Sequence, residues 1–144
     1  MELFTIGYEG ETIGGFIQRL VRYGIDVVAD VRLNPISRKP AFSKGPLTLQ
    51  LANCSIEYVH FKELGTPQNL RSDLKDTGDY RKFAAEYRKY AVTRTEILDK
   101  LHCLIKSRRV ALMCLERFPE KCHRSVLALM LKEIDGNGLR ILSA

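Results

Sequence analysis

A single-domain, doubly wound α/β fold with a mostly parallel five-stranded sheet is predicted by three features of the chain. Short apolar or β-branched runs alternate with stretches whose apolar residues recur at spacings of three and four, the alternation that builds parallel sheets. The run DVVADVR at 26–32 shows no polar alternation, as suits a strand buried on both faces. The length of 144 residues is that of one domain, so residues 1–144 are expected to share one core. By analogy with the commonest doubly wound topology, the expected strand order is 3-2-1-4-5.

The elements follow in chain order. Leu3 to Tyr8 is an apolar run closed by Gly7, Gly10 and a polar turn, and is expected to be the first strand. Thr12 is placed to cap a helix carrying Ile13, Phe16, Ile17, Leu20 and Val21 on one side, with Gly24 ending it. Asp26 to Arg32 is the second strand, so the first thirty or so residues form a strand-helix-strand unit. Pro35, Pro40, Gly45 and Pro46 exclude regular structure across 34–46. A short helix is expected at about 46–53 and a third strand at 56–61, followed by a polar surface loop over 63–78. From Asp79 the apolar stripe of Phe83, Tyr87, Tyr90, Ile97, Leu98, Leu101, Leu104 and Ile105 predicts two helices. They should break near Thr93, where Thr93 and Glu96 have the spacing of a capping box. Gly136-Asn137-Gly138 is the expected turn into a last strand at 139–142.

The segment VALMCLERFPEKCHRSVLALM, 110–130, gathers the reactive side chains. Val110 to Leu115 reads as a buried strand, and Val126, Leu127, Leu129, Met130 and Ile134 as the apolar face of a helix. The loop between them is expected to turn at Phe118-Pro119. Cys114 and Glu116 then lie at the strand's carboxyl end, and Cys122, His123 and Arg124 at the helix's amino end. In a parallel sheet that edge is where ligands bind.

Composition narrows the classes. The chain is 45% hydrophobic and 28% charged, ordinary for a globular protein. It lacks an apolar stretch of the roughly 18 residues that spans a bilayer and a leader-like start, so a mature cytoplasmic protein without a membrane partner is expected. Its four cysteines form no CxxC pair, and free thiols are the expectation in a reducing compartment. A net charge of +6 and a pI near 9.3 point to an anionic partner. Ordinary solubility explains them equally well. The most lopsided stretch, 31–56, has Arg32, Arg38, Lys39 and Lys44 and no acid.

Each candidate residue has a plain alternative. Cys122 at a helix start feels unpaired amides and the positive end of the dipole, which favour a reactive thiolate; otherwise it is a positioned but unreactive binding residue, or packs as a small hydrophobe. Glu116 is a general base near the thiols or a structural ion-pair partner for Arg124 or Arg32. Cys114 reads more as core than as chemistry. Arg124 in a first helical turn is placed to bind an anion. A phosphatase-type thiol loop would put arginine at position 128 or 120, where Ala128 and Glu120 stand, so that arrangement is not supported. Cys114, Cys122, His123 and His60 are the only metal candidates, but they lack closely paired spacing and Cys122-His123 is an awkward bite; no metal and no cofactor are assigned. Phe42 either stacks on a base beside the basic loop or sits in the core. Arg32 is expected at the same rim as Cys122, with Asp30 as its partner or a separate buried acceptor. Tyr8 offers a phenol to the crevice. Cys54, Cys103 and His102 look structural.

Four stretches, TIGYEG at 5–10, DVRLNPISRKPAF at 30–42, YVHFKELG at 58–65 and MCLERFPEKCHRSVLA at 113–128, run in order over nearly the whole chain. On these the chain resembles the DUF488 family. The resemblance implies a Rossmann-like fold and a site where these loops meet; it implies no reaction.

Taken together, the residues point to an enzyme with Cys122 as reactive thiol and Glu116 as acid-base or orienting group. Gly7, Tyr8, Arg32, Arg38 and Arg124 would hold an anionic substrate, a phosphate-bearing nucleotide or nucleic acid. Two alternatives stay open: a non-catalytic nucleic-acid-binding module using the basic Arg32 to Lys44 segment, whose binding Arg38 and Lys39 substitutions would weaken, and a redox or metal sensor using Cys114 and Cys122.

Overall fold

The computed structural model describes residues 1–118, 121–136 and 138–144. Its strands are β1 (Glu2–Gly7), β2 (Val27–Asp30), β3 (Glu57–His60), β4 (Val110–Cys114) and β5 (Arg140–Ser143). The helices are α1 (Ile13–Arg22), α2 (Lys44–Ala52), α3 (Gln68–Thr77), α4 (Tyr80–Ala91), α5 (Thr95–Ser107) and α6 (His123–Ile134). All strand pairs are parallel, so the α/β class is as expected. No described helix is long and apolar enough to cross a membrane.

The strand order is β3-β2-β4-β1-β5, which corrects the expected 3-2-1-4-5. The crossover through α1 leaves a gap one strand wide between β1 and β2, and β4 fills it. Val110 pairs with both Leu3 and Val27. Burial explains the choice: every residue of β4 is buried, whereas β3 and β5 carry exposed polar residues suited to edges. Consequently the carboxyl end of β4 touches the ends of both β1 and β2. Tyr8 and Glu9 donate backbone hydrogen bonds to Cys114 and Leu115, and Val31 donates to Met113.

Two apolar layers cover the sheet. Phe16, Leu20, Leu47 and Leu51 of α1 and α2 pack on Phe4, Ile6, Val28 and Met113. On the other face Phe83, Tyr87, Leu98, Leu101, Val126 and Leu127 pack on Leu3, Ala29, Leu112 and Cys114. This split follows from the alternation of side chains along each strand. Cys114 therefore points toward α6, as Cys122 at that helix's start does.

Several local expectations need correction. The stretch read as a surface loop after β3 contains α3, which begins after Pro67 and is closed by Gly78 in the left-handed region. Its charged composition hides a helix whose Leu70 and Leu74 pack on the core. The helix break near Thr93 is present, but Arg94 and not Thr93 is the cap residue of α5, and Thr93 Oγ1 turns back to the Tyr90 carbonyl at 2.7 Å. Of the two placements open to Phe42, the core one holds, and its ring stacks on Tyr8 at 4.6 Å. The turns expected at Phe118-Pro119 and Gly136-Asn137-Gly138 include Pro119 and Asn137, which lie outside the described residues.

One buried hydrogen bond fixes the turn that follows β3. Tyr87 is fully buried on α4, and its hydroxyl donates to the Leu64 carbonyl at 2.6 Å. Burial also holds this phenol protonated, well above its ordinary range. Tyr87→Phe strands that carbonyl without its donor, so urea unfolding is expected to show a loss of about 1–3 kcal/mol. A loss below about 0.5 kcal/mol would mean that the hydroxyl does not hold the turn.

Candidate functional site

β4 sends its chain to one face of the sheet, while β1 and β2 beside it send theirs to the other. The crevice at their carboxyl ends is the position where such sheets bind ligands. A cavity of about 270 Å³ opens there, lined by Tyr8, Arg32, Thr66, Arg71, Leu74, Lys75, Phe83, Cys114, Glu116, Lys121, Cys122 and His123, among others.

At its floor, Cys122 caps α6 with its sulfur, which accepts from the Arg124 backbone N–H at 3.5 Å. The Cys114 and Cys122 sulfurs are in contact, so the expectation of separate thiols is corrected for this pair; Cys54 and Cys103 are free and exposed. The Cα atoms of the pair are 7.8 Å apart, beyond the roughly 7 Å at which a disulfide closes without backbone movement. They share a point in space without the backbone of a relaxed bridge.

His123 is buried beside them. Its Nε2 lies 2.6 Å from the Val31 carbonyl. A carbonyl only accepts, so Nε2 carries the proton and Nδ1 keeps a lone pair, 3.5 Å from Cys122 Sγ. Burial pushes the imidazole pKa down, the Val31 hydrogen bond opposes this and the Arg124 charge adds to it. The result is about 4, and the ring is neutral at pH 7.

Arg124, 1% exposed, donates to Cys114 Sγ at 3.1 Å, to the Glu116 carbonyl at 2.5 Å and to the Arg117 carbonyl at 3.1 Å. It braces the loop from beneath and is not part of the cavity lining. With the pair reduced, the Cys114 thiol donates to Glu116 Oε2, 3.0 Å away, although β4 ends at Cys114. Thus each sulfur has its own acceptor: a carboxylate for Cys114 and an imidazole nitrogen for Cys122.

The second wall comes from β2 and β3. Arg32 donates through Nε and Nη2 to the fully buried Asp30 carboxylate, at 2.9 and 2.7 Å, and through Nη1 to Tyr8 Oη at 3.1 Å. Burial works against the Arg32 charge, but Asp30, with a smaller contribution from Tyr8, outweighs it and holds the guanidinium above its ordinary range. Tyr58 also donates to Asp30; burial and then that carboxylate keep the phenol protonated. His60 Nε2 meets the Arg32 carbonyl at 2.7 Å and so lies outside the sulfur cluster.

The structure therefore brings Tyr8, Arg32, Glu116 and Cys122 to one cavity, with Arg124 directly behind it. Gly7 is placed differently: a Cβ there would lie 1.9 Å from the Glu116 carbonyl oxygen. Its bare backbone lets the loop after β4 cross the end of β1. Arg38 is exposed on the proline-rich loop, outside the cavity lining, and the neighbouring Lys39 Nζ donates to the Glu11 carbonyl at 2.7 Å. The cations Arg71, Lys75 and Lys121 escaped the sequence reading. Arg71 and Lys75 share a face of α3 at helical spacing, a signal that the charge and proline of that stretch obscure in the sequence. No ion pair among the described residues uses these three.

The family model described as "Domain of unknown function DUF488" matches residues 12–131. No curated protein and no solved structure matches the chain.

Proposed function

The chain belongs to the DUF488 family, and we propose that it is a thiol-dependent enzyme acting on a small phosphate-bearing substrate, of mononucleotide size or less. The observation that carries this reading is one cavity that joins Cys122 and His123 to Arg32, Arg71, Lys75 and Lys121. Arg32 is matched by Asp30, but the three further cations Arg71, Lys75 and Lys121 against the single carboxylate of Glu116 favour an anion, and the apolar Leu74 and Phe83 suit the rest of the molecule. A volume of about 270 Å³ is near the lower bound for small-molecule sites, and argues for a free phosphate ester over a polymer.

In this reading the Cys122 sulfur attacks the substrate's electrophilic centre and its proton passes to His123 Nδ1. The bond to the leaving group breaks, and the leaving group takes that proton. Water then cleaves the bond to sulfur and restores the thiol. The Val31 carbonyl fixes the tautomer this requires, while Glu116 orients Cys114 as a neighbouring donor. Nucleophile and base thus have the mutual placement expected of covalent catalysis.

The test is turnover of a panel of phosphate esters, nucleoside monophosphates included, by the reduced protein and by Cys122→Ser. Turnover by the native chain that falls about 1,000-fold or more in the variant is expected, since loss of a nucleophile costs at least that. An unchanged rate in Cys122→Ser removes the centre of the proposal.

A further inference from the structure

We propose that Cys114, Cys122 and His123 form a binding site for a thiophilic divalent cation, zinc above all. This goes beyond the thiol-enzyme reading and uses the same sulfurs, so a bound cation holds Cys122 as a ligand and stops it attacking.

Three independent features carry the inference. First, one ligand atom from each of the three residues lies within 4.8 Å of the others. Tetrahedral zinc, with Zn–S near 2.3 Å and Zn–N near 2.0–2.1 Å, sets its ligand atoms about 3.4–3.8 Å apart. Small side-chain movements reach that arrangement from the cluster as it stands.

Second, the Cα separation of 7.8 Å is too long for a relaxed disulfide. A cation between the sulfurs parts them to about 3.8 Å, compared with about 2 Å in a bridge. The longer backbone span suits a pair joined through a metal better than a pair joined directly.

Third, the surroundings are those of ligands already oriented. The Nε2–H of His123 is committed to the Val31 carbonyl at 2.6 Å, and Nδ1 faces the thiols. Imidazole ligands are typically fixed in this way by a carbonyl on the far nitrogen. Arg124 donates its backbone N–H to one sulfur and its guanidinium to the other, offsetting the negative charge of two thiolates.

Spacing hid this site. A Cys-x7-Cys-His pattern lacks closely paired ligands, so these metal candidates stay unassigned on spacing alone; the return of the chain from β4 into α6 brings them together. All three residues line the cavity, so three protein ligands leave a fourth position open toward the cationic wall. That is the ligand count of a zinc site which also takes water or an anion.

The test uses the full chain, reduced and stripped with chelator, and titrated with Co²⁺ as the spectroscopic probe. One equivalent is expected to give thiolate-to-cobalt charge-transfer absorption and tetrahedral d–d bands, both displaced by Zn²⁺. Each of Cys114→Ser, Cys122→Ser and His123→Ala should weaken binding about 100-fold or more, because loss of a mere supporting contact already costs 10–100-fold. A Cys54→Ser/Cys103→Ser double variant, which leaves the cluster intact, should bind as the native chain does. It also keeps the test decisive if a cluster variant fails to fold. Absence of stoichiometric thiolate–cobalt absorption in the native chain overturns the inference, as does absorption abolished in the double variant. Ester turnover that depends on Cys122, with no cobalt absorption, removes the metal and leaves the thiol enzyme standing.

Discussion

Replacing Asp30 with alanine is expected to destabilise the protein by about 3–5 kcal/mol, the usual cost of deleting one partner of a buried ion pair. Asp30 is fully buried in β2 between β3 and β4. Its carboxylate accepts from the Arg32 backbone at 3.0 Å, from the Arg32 guanidinium at 2.7 and 2.9 Å, and from Tyr58. Alanine leaves a guanidinium only 7% exposed without its carboxylate, and no adjustment of a surface pair can compensate. Asp30→Asn, which retains a hydrogen-bond acceptor but loses the charge, should fall between the native chain and Asp30→Ala in urea midpoint. A loss below about 1 kcal/mol in Asp30→Ala would mean that Arg32 finds water or another acceptor, and so is not held rigidly at the cavity wall.

Gly7→Ala is expected to cost about 1–3 kcal/mol or more and to disturb the sulfur cluster in the same step. Alanine is intrinsically better than glycine within a strand by roughly 0.5–1 kcal/mol, so at Gly7, the last residue of β1, propensity alone predicts no loss. The contact decides the sign. The new Cβ would sit 1.9 Å from the Glu116 carbonyl oxygen, 2.6 Å from its carbonyl carbon and 3.0 Å from Arg117 Cα, all of them backbone atoms that cannot rotate away. Pushing that loop outward takes the Glu116 carbonyl from Arg124 and loosens the support of Cys114. Thermal unfolding and the Cys122 labelling rate should therefore both change. A variant as stable as the native chain would contradict the close packing of β1 beneath the loop.

The fold class was legible because the apolar runs and helical stripes are strong local signals. The strand order was not, since nothing local in VALMC says whether β4 lies outside β1 or between β1 and β2. That one exchange moves Val31, Asp30 and Arg32 beside the sulfur cluster. Cys122 at the start of α6 and Arg32 at the end of β2 were readable from their positions after and before apolar runs. Cys114 was less so, because a cysteine ending an apolar strand looks like core until its partner arrives from eight residues on. Arg71 and Lys75 were lost in a stretch whose charge and proline suggested a loop, although Leu70 and Leu74 already had helical spacing.

Alkylation with two reagents of the same shape distinguishes a reactive thiol inside a cation-lined cavity from an inert buried one. Reduced, metal-free protein is treated with iodoacetate, an anion, or iodoacetamide, which is neutral, and labelling is followed at each cysteine by peptide mass spectrometry. At Cys122 the ratio of iodoacetate to iodoacetamide rates should exceed that at the exposed Cys54 and Cys103 by about tenfold or more, the scale on which a charged cleft concentrates a counter-ion. The excess should shrink at high salt and in an Arg71→Ala/Lys75→Ala/Lys121→Ala variant. Equal ratios at all three cysteines, or no labelling of Cys122 in the folded chain, would contradict the account.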